Sequence, residues 1–122
     1  MGDEYDGYWV YGVFQGRGLY KYKNGNTYDG NWVNNKQNGE GLFTWANGDS
    51  YQGNFKDNMR EGRGTYTSTT GDLFNCAGCR KYVGGWKNDL KEGWGDCFDA
   101  SGKLIYEGNF KNNAPAETYP NR

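Results

Sequence analysis

Tyr28-Asp29-Gly30-Asn31-Trp32 is written five times along this chain with small changes, and its spacing decides the fold. The other copies are Tyr5-Asp6-Gly7-Tyr8-Trp9, Tyr51-Gln52-Gly53-Asn54-Phe55, Tyr82-Val83-Gly84-Gly85-Trp86 and Tyr106-Glu107-Gly108-Asn109-Phe110. Successive starts lie 23, 23, 31 and 24 residues apart. A period of this size marks stacked repeats, in which each unit buries its apolar side only against its neighbours. Such an array presents a long surface, so the first functional question is what binds it.

Each copy has a second half. Eleven residues after the Tyr comes Gly-x-Gly, at Gly16/Gly18, Gly39/Gly41, Gly62/Gly64 and Gly93/Gly95. Two residues further stand Tyr20, Phe43, Tyr66 and, as the exception, Cys97. All these positions advance by two, which puts them on one face of a strand. The residues between them are mostly polar, the alternation of a half-buried antiparallel strand. Pairing Tyr5 with Tyr20 sets Gly7 opposite Gly18 and Trp9 opposite Gly16. The glycines then leave room for aromatic rings to lie flat across the sheet. The expected core is Tyr5, Trp9, Tyr20, Tyr28, Trp32, Phe43, Tyr51, Phe55, Tyr66, Tyr82, Trp86, Tyr106 and Phe110.

Lys23-Asn24-Gly25, Ala46-Asn47-Gly48 and Thr69-Thr70-Gly71 separate the repeats, and Asn-Gly between alternating stretches signals a hairpin. For Tyr20 and Tyr28 to oppose each other, the loop must hold an odd number of residues. Three, with Gly at positive φ, fits best. The fourth repeat is one residue longer, so keeping Tyr106 on the aromatic face requires a bulge between Lys103 and Ile105. The fold class is therefore all-β: an elongated, twisted antiparallel sheet of nine or ten strands in sequence order. The twist is expected to curl the aromatic face into a groove.

Composition narrows the function. Aliphatic residues are few, whereas there are 11 Tyr, 6 Phe, 5 Trp and 21 Gly. Formal net charge is -1, from 14 basic and 15 acidic residues, with no block of like charge. Nucleic-acid binding lacks its electrostatic footprint. No stretch is long and apolar enough for a transmembrane helix, and no signal peptide is visible. The expected location is cytoplasmic or peripheral to a membrane. Histidine is absent, which removes Ser-His-Asp and Cys-His nucleophiles and the usual zinc hydrolases. No phosphate-binding loop of the Gly-x-x-x-x-Gly-Lys type occurs. The chain is expected to be no enzyme and to need no cofactor or metal.

These motifs closely resemble the MORN repeat (membrane occupation and recognition nexus): Tyr-x-Gly-x-Trp/Phe, a loop, Gly-x-Gly-x-Tyr/Phe, then a polar turn. The match runs from residue 5 to about 119. One domain over residues 1–122 is expected, with repeats starting near 5, 28, 51 and 82 and a partial repeat or cap from 106. There Pro115, which cannot donate to a ladder, suits an edge. The resemblance implies a non-catalytic scaffold that binds proteins or lies against a membrane.

Residues 74–81, Phe74-Asn75-Cys76-Ala77-Gly78-Cys79-Arg80-Lys81, are inserted into the period. Cys76-x-x-Cys79 suggests a redox motif or half a zinc site. However, no thioredoxin-like helix accompanies it, and three cysteines without histidine fall short of four zinc ligands. Cys97 stands where other repeats carry a ring, leaving a hole. The inserted loop can fold over that hole and bring Cys76 or Cys79 near Cys97, as a disulfide or as packed thiols.

The candidate partner contacts are residues that break the polar pattern: Tyr8, Tyr11 and Phe14 in the first repeat, Trp94 and Phe98 in the fourth. The favoured partner is a protein. A phospholipid surface is an alternative, on the strength of Lys56, Lys87 and Lys111 at equivalent positions, though acidic residues interleave with them. Carbohydrate or cell-wall binding is a weaker third. Pairing through the sheet ends into a homodimer is open as well.

Overall fold

A computed structural model describes residues 2–69, 78–112 and 114–115. The strands are β1 (Glu4–Val10), β2 (Val13–Lys21), β3 (Thr27–Val33), β4 (Lys36–Thr44) and β5 (Ser50–Lys56). Then come β6 (Met59–Thr67), β7 (Lys81–Lys87), β8 (Leu90–Phe98), β9 (Leu104–Lys111) and β10 (Ala114–Pro115). They form one ten-stranded sheet in sequence order, each strand antiparallel to the next. No helix occurs among the described residues.

The glycines do two different jobs. Gly7 and Gly18 face each other, as do Gly30 and Gly41, Gly53 and Gly64, and Gly84 and Gly95. Across each pair lies the Tyr that opens the motif. A Cβ added at Gly41 would run into the Tyr28 ring, and one at Gly64 into that of Tyr51. With the strand bare beneath it, the ring bends back along its own backbone. The Tyr28 hydroxyl donates to the Asn31 carbonyl at 2.9 Å, and Tyr51 and Tyr82 do the same to Asn54 and Gly85. Tyr28, Tyr51 and Tyr82 are fully buried.

The first glycine of each Gly-x-Gly does something the alternation does not predict. Gly16, Gly39, Gly62 and Gly93 have φ of 83, 91, 83 and 82°. Each sits in a bulge that displaces its strand against the preceding one. Trp9 therefore faces Phe14, not Gly16, and Trp32 faces Gln37. The expected Trp–Gly opposition does exist, but across repeats, as Gly16 with Trp32 and Gly62 with Trp86. Only glycine adopts this backbone freely, which is why the position does not vary.

The loops between repeats match the parity argument. Tyr22 bonds Asn26 and Trp45 bonds Asp49, closing three-residue loops with Gly25 and Gly48 at φ of 100 and 99°. The expected bulge in the fourth repeat is present: Cys97 pairs with Tyr106 and Phe98 with Leu104, so Ile105 is the extra residue. Within repeats, two-residue turns join the strands. Asn34-Asn35, Asp57-Asn58 and Asn88-Asp89 all have positive φ, a conformation that Asn and Asp tolerate best among side-chain-bearing residues.

Both rims are stitched from repeat to repeat. On the turn side, Asn35, Asn58 and Asp89 accept through their side chains from the backbone N–H of Phe14, Gln37 and Arg60, at 2.7, 2.8 and 2.6 Å. On the loop side, Asp3, Asn26 and Asp49 accept from Lys23, Ala46 and Thr69, each at 2.8 Å. These bonds repeat with the sequence period and give neighbouring hairpins a fixed offset.

Most of the expected core is buried, with Tyr5, Tyr20 and Phe43 half-buried against it. Trp9 is the correction. It is 55% exposed, because β1 is the sheet edge among the described residues and no further hairpin covers its ring. Tyr22 and Trp45 join the core unexpectedly. They extend one aromatic row from Tyr20 through Tyr22, Phe43 and Trp45 to Tyr66, with centroids 4.5–5.9 Å apart. Arg60 lies over Trp86 at 4.5 Å to the centroid while its Nε bonds Asp89 at 3.1 Å.

Candidate functional site

One face of the sheet is spent on packing, although a concavity of about 500 Å³ opens there beside Phe14, Tyr20, Tyr22, Trp32 and Phe43. The other face is polar and uncovered among the described residues. It too is concave. A hollow of about 630 Å³ crosses from Arg17 on β2 to Val83 on β7, lined by Asp29, Glu40, Leu42, Asn54 and Arg63 among others. It runs across the strands, along the length of the array.

The residue between each pair of glycines sets the character of this face. Arg17, Glu40, Arg63 and Trp94 are the x of the four Gly-x-Gly motifs, and all four are exposed. They stand on β2, β4, β6 and β8, two strands apart each time. Their register partners on the following strands are Asn31, Asn54, Gly85 and Asn109. Arg17 meets Asp29 at 3.4 Å, but both side chains are more than half exposed (59% and 55%), so the pair adds little stability.

The fourth repeat breaks the surface. In the second and third, Asn31 and Asn54 lie over the bulge glycines Gly39 and Gly62, and in the first Tyr8 lies over Gly16. Gly85 takes that place in the fourth, and among the described residues nothing stands within 4 Å of where a Gly93 Cβ would be. A side chain at Gly85 would collide with the Glu92 carbonyl oxygen, so the gap is built into the local backbone. Beside it stands Trp94, 55% exposed. Gly85 and Gly93 were not among the sequence candidates. Their signal was the loss of Asn at the fourth position of the Tyr82 copy.

The other candidates scatter. Tyr8, 69% exposed, is on the polar face at the β1 end, and Tyr11, 101% exposed, is at the tip of the first turn. Phe14 belongs to the aromatic side instead. Its ring stacks on Tyr5 at 3.8 Å, because the Gly16 bulge swings it opposite Trp9. Phe98 shares β8 and the polar face with Trp94. It is half-buried and lines a hollow of about 380 Å³ with Thr67, Lys81 and Ala100.

Cys79 and Cys97 form a disulfide, with Cα atoms 5.5 Å apart and both residues buried. Arg80 donates to the Phe98 carbonyl at 2.8 Å, which aligns Cys79 with Cys97 and closes the hole left by the missing ring. Cys76 and the rest of the insertion up to residue 77 lie outside the described residues. Among the described residues no group of three or more His, Cys, Asp or Glu is placed to hold a metal.

The perturbed titrations have structural causes. Burial pushes the Tyr28, Tyr51 and Tyr82 phenols well above their ordinary range. Tyr66 is pushed up to about 12 by burial and by the neighbouring Asp49 carboxylate. The Asp99 carboxyl is held below its usual range by bonds from Ser101 and from the Lys103 backbone, which close its loop. Among the described residues no helix is long and apolar enough to cross a membrane.

No curated protein matches the chain. A family model described as the MORN repeat matches residues 5–27, 28–50, 51–73, 82–103 and 106–116. These stretches carry both halves of four hairpins and the fifth Tyr-x-Gly-x-Phe strand. Repeats of this kind occur in binding and scaffold proteins. With most of its length matched and its sheet built from those hairpins, the chain belongs to the MORN repeat family.

Proposed function

We propose that this chain is a non-catalytic scaffold module that binds a protein segment on the polar face of its sheet. The observation behind this reading is the fourth repeat, where Trp94 stands exposed beside the bare backbone of Gly85 and Gly93. An exposed Trp next to a notch offers a ring that a partner can cover completely, the arrangement from which interface hot spots are made. Of the other aromatic candidates, Phe14 is packed against the core, Tyr8 and Tyr11 are isolated at the β1 end, and Phe98, on the same face of β8, is half-buried. A lipid surface has less to recommend it. Lys56, Lys87 and Lys111 do line one rim, but Asp57 and Asp89 occupy the turns beside them, and Val10 and Val33 hold the equivalent positions.

Selection of a displayed peptide library on the immobilised protein tests the reading. Enriched peptides should lose binding to a Trp94→Ala variant whose circular dichroism is unchanged. No enrichment, or peptides that bind Trp94→Ala equally well, refutes it. Vesicles containing anionic lipid, sedimented at low salt, form the contrasting arm.

A further inference from the structure

The polar face carries a ruler. Its reading residues, Arg17, Glu40, Arg63 and Trp94, recur every second strand. Strands lie about 4.8 Å apart, so the step is about 9.6 Å. A ligand that meets all four must present a side chain to one face at that interval. A β-strand does not, because side chains three residues apart point to opposite faces. An α-helix repeats a face every seven residues, about 10.5 Å, and slips by about 1 Å at each step. Polyproline II has three residues per turn at about 3.1 Å each, a repeat of about 9.3 Å on one face.

From this match we infer that the polar face binds a Pro-rich segment in the polyproline II conformation, with every third residue read in turn. This rests on the proposal that the polar face is the docking side. Charge sets the order of the segment. Arg17 calls for an acidic residue, Glu40 for a basic one and Arg63 for an acidic one; Trp94 takes an apolar residue or a proline ring. The exposed Arg17–Asp29 pair is weak enough to yield to an incoming carboxylate. No other ion pair among the described residues engages Glu40 or Arg63. Polyproline II leaves its backbone carbonyls without internal partners. Asn31, Asn54 and Asn109, the register partners of Arg17, Glu40 and Trp94, put amide donors on the same face for those carbonyls to accept from. The hollow from Arg17 to Val83 gives the segment its bed, and the Gly85–Gly93 notch lets its end settle against Trp94.

The test is fluorescence anisotropy with labelled synthetic peptides and the full chain. The matched probe is Glu-Pro-Pro-Lys-Pro-Pro-Glu-Pro-Pro-Leu, used in both sequence directions because polyproline II is nearly symmetric end to end. One control inserts a fourth residue into every step. Another carries the same charges at seven-residue spacing in a helix-forming Ala background. The matched probe, in one direction, should bind about tenfold or more tighter than either control, a difference of about 1.4 kcal/mol or more. A doubly exchanged protein, Glu40→Arg with Arg63→Glu, should reverse the preference and favour a probe whose second and third charges are exchanged. Both substitutions are at exposed positions, and circular dichroism checks the fold. Equal binding of the four-residue-step probe, tighter binding of the helical probe, no binding, or no reversal each overturns the inference. Trp94-dependent peptides from the library that lack a three-residue charge period would overturn this inference alone and leave the docking face standing.

Discussion

Two glycines two residues apart, Gly39 and Gly41, should respond to substitution for opposite reasons. At Gly41 an added Cβ would meet the Oη, Cε1 and Cζ of Tyr28 well inside 3 Å. Tyr28 is fully buried, so its ring must leave or tilt strongly. Exposing an aromatic ring returns roughly 150–250 Å² to water, worth about 4–6 kcal/mol at about 25 cal/mol per Å². The hydroxyl bond to the Asn31 carbonyl, 2.9 Å long, is lost as well and adds about 1 kcal/mol. Partial accommodation brings the expected cost of Gly41→Ala to about 3–5 kcal/mol. At Gly39 the obstacle is the backbone, with φ of 91° and the Asn31 side chain only at contact distance. Holding an L-residue there costs about 1–2 kcal/mol, and the stiffer unfolded chain returns about 0.4–1. Gly39→Ala should therefore cost only about 1 kcal/mol. Asparagine separates the two causes. It accepts positive φ, so Gly39→Asn should cost less than Gly39→Ala, whereas Gly41→Asn should cost more than Gly41→Ala. Urea unfolding followed by Trp fluorescence gives all four values. If Gly41→Ala is no worse than Gly39→Ala, the account of the Tyr ring lying over a glycine pair is wrong.

Three other perturbations have definite expected outcomes. Burial raises the folded-state pKa of Tyr28, Tyr51 and Tyr82 above the ordinary value of 10.0, so the folded chain keeps protons that the unfolded chain releases. Stability should be intact below pH 10 and fall above it by about 1.4 kcal/mol per pH unit for each of the three. The last part of the tyrosinate absorbance should then appear together with loss of near-ultraviolet circular dichroism; ionisation of all 11 tyrosines in a chain with native dichroism counts against it. The Cys79–Cys97 bond closes a loop of sequence separation 18, which by chain entropy stabilises by about 3 kcal/mol. Reductant should raise the intact mass by two hydrogens and lower the urea midpoint accordingly, and Cys79→Ala should remove both effects. Arg60 holds Asp89 through a fork while stacking on Trp86. Arg60→Lys keeps the charge but loses the fork and the stack, and should cost about 1–2 kcal/mol in the same assay; no change would mean that the charge alone suffices.

How far the sequence could be read follows from what each pattern constrains. The two-residue rhythm of Tyr28, Gly30 and Trp32 is a direct image of the pleat, so strand, face and core could be read together. Parity located the three-residue loops and the Ile105 bulge, because one surplus residue must go somewhere if Tyr106 is to stay inside. The Gly16 bulge escaped because β2 has two neighbours. In register with β3, Gly16 does face a Trp, and the alternation is satisfied; only against β1 is the strand displaced. A pattern read along one strand cannot say which neighbour it obeys, and so Trp9 and Phe14 were misplaced together. The choice of Cys79 as partner to Cys97 depends on the Arg80–Phe98 backbone bond, which spacing alone does not reveal. The same reasoning locates the site. Ring packing fixes the Tyr, its following Gly and the second glycine of Gly-x-Gly, and the bulge fixes the first. Between those two glycines stands a residue that faces solvent and answers to neither demand, and there the chain writes Arg17, Glu40, Arg63 and Trp94. Four repeats free to vary at one exposed position, in a row with a constant step, are where a stacked sheet can differ from its relatives without coming apart.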